Sequence, residues 1–247
     1  MTHVPTSRFA HLGAPAAHRH RAPGPGGRVP GYGLARVIAG VALAAGALVL
    51  GLVAKAGPVA RLGLQVDQHI AARDRVGALT GLARAITTIA TPETVGVGLM
   101  IGVPVILVLA RRRLDALKVF CIFAGAFTLA EAGKILISEH RPPVALQAMP
   151  ADSGASFPSG HATVAAVLAV ALVVVAATFA GRASALVLGG LYAAAVAVSR
   201  VYLADHYPLD VVGSVLCALA AAFIVTGLAA LPALQPYLRR IGERSGR

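Results

Sequence analysis

Six runs of apolar residues, at 34–56, 94–110, 114–137, 160–180, 183–202 and 208–231, restrict what this chain can fold into more than any other feature. A helix needs about 20 apolar residues to cross a bilayer, because backbone exposed to lipid must satisfy its own hydrogen bonds. We therefore expect an all-α fold, a six-transmembrane helix bundle. Composition agrees: of 247 residues 57% are hydrophobic and 13% charged, with mean hydropathy +0.77, which leaves too little polar surface to cover a soluble domain. A net charge of +12 with few acids suits nucleic acid in a soluble protein. Here the cations flank the apolar runs instead of lining a polar face, so a nucleic-acid partner is excluded and the bilayer is the expected one.

The domain expected from this pattern spans 34–231, between a disordered basic cytoplasmic tail at 1–33 and a short basic cytoplasmic tail at 232–247. The first tail is rich in Pro, Gly, Ala and Arg, and has no apolar periodicity to bury. Its His3, His11, His18 and His20 lack regular spacing and any Cys or carboxylate partner, so no metal site is read there. The run at 34–56 has no small-residue cleavage site and is long enough to span, which makes it an uncleaved first helix. Between the first two runs, Arg61, Asp67, Arg73, Asp74, Arg75 and Arg84 alternate with Leu64, Ile70, Val76, Leu79, Leu82 and Ile86. That pattern predicts an amphipathic helix lying at the membrane interface.

Most of the 22 Lys and Arg fall on the N-terminal side of the alternating loops, including Arg8, Arg36, Arg111, Arg112, Arg113, Arg182, Arg239 and Arg240. Both termini are thereby expected in the cytoplasm of a multi-pass cell-membrane protein. Gly98 and Gly102 have the GxxxG spacing that permits close helix packing, and Pro104 predicts a kink in the second span. Cys121 and Cys217 both lie in apolar runs and read as buried, inert thiols. Nothing in the sequence speaks to oligomeric state.

Three polar islands interrupt this apolar background: KILISEHRP at 134–142, PSGH at 158–161 and SRVYLADHYPLD at 199–210. The predicted topology sends all three to the outer face. Pro142 and Pro143 end the third span, Ser159 N-caps the fourth, and Pro208 suits the first turn of the sixth. Lys134, Arg141 and Arg200 are cations at span ends, where an unpaired charge is costly and a bound phosphate would compensate all three. Taken alone, Lys134 could equally snorkel to the interface. Ser159 and Gly160 open a helix, whose first N–H groups and dipole favour an oxyanion, although each is also an ordinary cap or turn residue. His161 on the same turn could donate a proton. His206 and Asp210 are four residues apart, so the carboxylate can fix one ring nitrogen and leave the other to attack, or can form a merely structural hydrogen bond.

The islands resemble the signature of the type 2 phosphatidic acid phosphatase (PAP2) family, KxxxxxxRP, PSGH and SRxxxxxHxxxD. Every position is filled: Lys134, Arg141 and Pro142; Pro158, Ser159, Gly160 and His161; Ser199, Arg200, His206 and Asp210. The resemblance covers about residues 60–230. It implies that His206 is the nucleophile of a phosphohistidine, that Asp210 orients it, and that His161 protonates the leaving oxygen. Lys134, Arg141, Ser159, Gly160 and Arg200 would bind the phosphate, and no cofactor or metal is implied. The implied activity is metal-independent hydrolysis of a membrane lipid phosphate or diphosphate, such as a polyprenyl diphosphate, phosphatidic acid or phosphatidylglycerol phosphate. Transfer to a lipid acceptor through the same intermediate, and anionic-lipid binding or transport without chemistry, are the alternatives. Two departures stand out. The chain has HRPPV where many members have RPRP, so a cation is missing that His140 or interfacial arginines could replace. Asp205 adds a carboxylate beside the site; we expect it to be solvated, with pairing to Arg200 or Arg141 as the other option.

Overall fold

The structure is a computed structural model that describes residues 31–149 and 154–243. The tail histidines, residues 1–30 and residues 244–247 lie outside the described residues, as do the expectations placed on them. Among the described residues the fold is all-helical. Nine α-helices run in order: α1 Tyr32–Lys55, α2 Gly57–His69, α3 Gly77–Ile89, α4 Val97–Leu109, α5 Arg113–Ile137, α6 Gly160–Val175, α7 Phe179–Tyr202, α8 Pro208–Leu228 and α9 Gln235–Glu243.

Four of them, α1, α5, α7 and α8, are long and apolar enough to cross a membrane. The other two expected spans are apolar but shorter: α4 has 13 residues and α6 has 16. Each shortening has a local cause. A π-helical turn, Pro92–Gly96, takes up the start of the second run ahead of α4. The fourth run is split because Ala176 turns extended and the Thr178 side chain accepts the Gly181 N–H at 2.9 Å, capping α7 early. Residues 179–180 therefore belong to α7.

The segment at 57–93 forms two helices, α2 and α3, joined through a π-helical turn at Ile70–Asp74 and an extended Arg75. It was expected to keep its charges on a polar face. Asp67 instead is fully buried, because α2 lies over the start of α8: a Cβ on Gly63 would sit 2.9 Å from the Tyr207 ring.

Helix α5 forms the centre of the core. Ala116, Val119, Phe123, Ala126 and Ala130 recur at three- and four-residue steps and are buried against α6 and α8. Helices α1 and α8 meet along small residues at seven-residue intervals, Gly33, Gly40, Ala47 and Ala54 on one and Gly213, Ala220 and Gly227 on the other. A Cβ on Gly40 would lie 2.8 Å from the Ala220 carbonyl, so glycine is required for this approach. The GxxxG pair expected to pack closely does not: nothing lies within 4 Å of a Cβ built on Gly98 or Gly102. Their neighbours Ile101, Val105 and Ile106 are exposed, which makes this face of α4 an outward one.

The C-terminal ends of α1, α5 and α7 and the N-terminal ends of α6 and α8 come together. Lys55 at the end of α1 donates to the Ile137 carbonyl at the end of α5 (2.8 Å). The three polar islands occupy this end of the bundle.

Candidate active site

Left-handed residues deliver two of the islands. Ser138 (φ 49°) ends α5 and turns the chain into Glu139, His140 and Arg141; Ala204 (φ 54°) follows α7 and turns it into Asp205 and His206. The third island begins α6, where Ser159 is the N-cap and its side chain accepts from the Ala162 N–H at 3.4 Å. One hydroxyl, that of Ser214, lies 2.8 Å from the Ser159 carbonyl and 3.0 Å from that of Asp210, tying the starts of α6 and α8 together. The Ser159 N–H also points at the Asp210 carbonyl, at 3.4 Å.

His206 and Asp210 are both fully buried and in contact, with Nδ1 3.2 Å from Oδ2. On the other side of the ring, Arg141 Nη1 is 3.1 Å from Nε2. A guanidinium can only donate, so Nε2 carries the lone pair and Nδ1 carries the hydrogen, directed at Asp210. Burial pushes the His206 pKa down to about 4, against the upward pull of Asp210 and with a smaller downward push from Arg141 and Arg200. The ring is therefore neutral at physiological pH, with its unprotonated nitrogen toward Arg141. Asp210 Oδ2 also accepts the Tyr207 N–H at 2.9 Å and the Ser156 hydroxyl.

Arg141 is held by the carbonyls of Asp205 (3.2 Å) and Gly154 (3.3 Å). Arg200 is 1% exposed and pairs with Asp205 Oδ2 at 3.1 Å. This corrects the expectation that Asp205 is solvated: the turn at Ala204 folds the chain back, and the Asp205 N–H donates to the Arg200 carbonyl (3.1 Å), leaving the carboxylate enclosed beside the guanidinium. Lys134 donates to Glu131 at 2.7 Å and approaches the start of α6, since a Cβ on Gly160 would lie 3.8 Å from its Nζ. His161 is buried in the first turn of α6, one residue after Gly160. Ser199 stays within α7, bonded to the Val196 carbonyl and 3.1 Å from Thr87 of α3, where it locks the helix that carries Arg200.

Two arginines of the segment at 57–93 are engaged with backbone carbonyls. Arg75 donates to the carbonyls of Leu146 and Tyr202 and Arg84 to that of Ala148, so both brace the loop after Pro142, while His140 is exposed. Sequence reasoning missed three buried groups around Asp210: Ser156, Glu139 and Asp67. Burial, with Asp210 adding to it, pushes Glu139 up to about 8 and Asp67 up to about 7. Glu139 lay inside the first island and Ser156 two residues before PSGH, so proximity to the motifs was the available signal. Among the described residues no group of acidic, His or Cys side chains is arranged to hold a metal ion.

The arrangement can bind an oxyanion among Arg141, Lys134 and the start of α6, and present a neutral imidazole nitrogen to it. The sequence of residues 115–230, which contains all three islands, matches the family model of the PAP2 superfamily. Among solved structures the chain is similar to the transmembrane PAP2-type phosphatidylglycerolphosphate phosphatase from Bacillus subtilis, with TM-score 0.67 and 23% identity over 77% of this chain and 95% of that one. At that identity the likeness is one of fold. No curated protein matches the sequence.

Proposed function

We propose that the chain, whose residues 115–230 match the PAP2 superfamily model, is a membrane phosphatase of that superfamily and hydrolyses a lipid phosphate monoester or diphosphate through a phosphohistidine on His206. The observation that carries this reading is the hydrogen-bond polarity of the ring, with Nδ1–H on Asp210 and the Nε2 lone pair turned toward Arg141.

Phosphate enters between Lys134, Arg141 and the Ser159–Gly160 start of α6, and Arg141 moves its donors from Nε2 to the phosphate oxygens. Arg200, held in position by its pair with Asp205, stands behind them as the third cation. Nε2 then attacks phosphorus, the bond to the leaving oxygen breaks, and His161 gives that oxygen its proton. The imidazolium formed at His206 is stabilised by Asp210. His161, now unprotonated, takes a proton from water as water attacks the phosphohistidine, which releases phosphate and restores the neutral ring. The three cations neutralise charge on the non-bridging oxygens, so the reaction is metal-independent.

A lipid substrate is favoured by what adjoins the site. An apolar groove of about 130 Å³ opens between α1, α5 and α8, and is lined by Ala44, Leu48, Leu129, Leu136, Phe157 and Pro158. Pro158 leads directly into Ser159, so a chain in this groove has its headgroup beside the cations. Polyprenyl diphosphate, phosphatidic acid and phosphatidylglycerol phosphate all fit this description. We place the site on the extracytoplasmic face of a six-span cell-membrane protein with both termini in the cytoplasm, since α4 and α6 run between the longer spans and the basic residues gather at the opposite end. Helices α2 and α3 then form an interfacial segment over the site.

Rapid quenching with radiolabelled lipid phosphate tests the intermediate. Acid-labile, alkali-stable label on the wild-type protein, absent from His206→Ala, is the expected result; label retained by His206→Ala overturns the assignment.

A further inference from the structure

Behind His206 and Asp210 lies a carboxyl to which the reaction above gives no part. Glu139 follows the left-handed Ser138, is 5% exposed, and its carbonyl accepts the Ser156 N–H at 2.8 Å. Its side chain is within hydrogen-bond reach of the Asp210 carboxyl. Asp210 Oδ2 is already occupied by Tyr207 N–H, the Ser156 hydroxyl and the His206 ring. Asp210 Oδ1 and Glu139 Oε2 are both buried, and among the described residues neither has a hydrogen-bond partner. Two ionised carboxylates enclosed in contact repel, and each leaves an oxygen unsatisfied; one proton shared between them removes both costs.

We propose that Glu139 is protonated at neutral pH and donates that proton to Asp210, making it a positioning residue that holds Asp210 as the carboxylate facing His206 Nδ1. The inference rests on the phosphatase reading above for its catalytic consequence, but not for the proton itself. The charged and titratable groups facing Glu139 are Lys55 from the end of α1 and Asp210 and Tyr207 at the start of α8. Only Lys55 opposes the proton, and its ammonium is engaged with the Ile137 carbonyl. With Glu139 neutral, Asp210 has a donor on each oxygen and a fixed plane. Above its pKa of about 8, Glu139 instead places a second negative charge behind a site that must bind an anion.

The test uses the full chain in detergent or nanodiscs. Turnover of the wild-type protein should fall by about tenfold per pH unit above the Glu139 ionisation. Glu139→Gln, which keeps an N–H donor and cannot ionise, should lose the part of this fall centred near pH 8. Glu139→Leu should lower kcat about tenfold or more with little change in KM, and the Gln variant should recover most of that loss. Infrared spectra of the Asp67→Asn protein, in which the other acid held near neutrality by burial is gone, should show a protonated carboxylic acid at pH 7 that disappears near pH 8. An alkaline limb in Glu139→Gln with the same midpoint and steepness as in the wild type, or the absence of that infrared band, overturns the inference. A wild-type protein that releases phosphate from no lipid defeats the phosphatase reading, while the infrared titration, needing no turnover and no change at Glu139, still decides where the proton is.

Discussion

His206 is enclosed on every side, and burial rather than its acidic neighbour decides its charge. A ring whose pKa falls from 6.5 to about 4 on folding is protonated in the unfolded chain and neutral in the folded one across that interval. The unfolded chain then binds more protons at this position, so the stability contributed by His206 is present above pH 6.5 and lost as pH falls toward 4. Nitrogen NMR of labelled histidine should find one ring titrating near 4, with the proton on Nδ1 in the neutral form; titration near 6.5 would contradict this. Asp210→Asn should lower kcat by about 10³-fold or more with KM little changed, because the amide can present its N–H to Nδ1 and invert the tautomer. A change mainly in KM would assign the pair to structure. The residues of the candidate site were legible because charged groups are rare in apolar sequence, and each one in the islands needs a reason. What they touch was not legible: Asp205 was expected in solvent and is buried on Arg200, since the turn that folds it back depends on the left-handed Ala204. Glu139, Ser156 and Asp67 share the difficulty, because burial of a polar side chain is a property of the elements that close over it.

Phe157 shows how the helices fix the site. Its ring, 1% exposed, fills the space left by glycines on two helices: a Cβ at Gly51 of α1 would lie 2.7 Å from it, and one at Gly213 of α8 would overlap it. The ring immediately precedes Pro158 and Ser159, so it sets where α6 begins. Gly213→Ala should force the ring to move, destabilise the detergent-solubilised protein by about 1–3 kcal/mol, and lower turnover by displacing the α6 start from Asp210. A thermal midpoint and rate equal to wild type would show that the ring is not the anchor. The long helices were legible from hydropathy alone, and α1, α5, α7 and α8 follow the apolar runs closely. Their packing was not: the GxxxG motif of the second run faces outward, whereas the close α1–α8 seam is built from small residues seven apart, a period that Ala- and Gly-rich runs hide among many similar residues. The α6–α7 boundary was missed because Thr178 caps a helix inside a run that is apolar on both sides.

At the scale of the molecule, one end of the bundle gathers the islands, and the other carries Arg111, Arg112, Arg113, Arg182, Arg239 and Arg240. The account orients the first end outward. In a background lacking Cys121 and Cys217, a cysteine at Val144, which is 81% exposed in the loop after Arg141, should react with a membrane-impermeant reagent in intact cells. One at Ala183, near the start of α7, should react only after lysis. The opposite pattern would invert the protein. The central claim, that this end of the bundle is a metal-independent lipid phosphatase working through His206, is tested most directly by phosphate release from the purified full chain with EDTA present throughout. The substrates would be a polyprenyl diphosphate, phosphatidic acid, phosphatidylglycerol phosphate and a soluble phosphate ester. The account predicts turnover of at least one lipid by the wild-type protein and none by a folded His206→Ala variant; equal release by the two proteins, or none from any lipid by folded wild type, would contradict it.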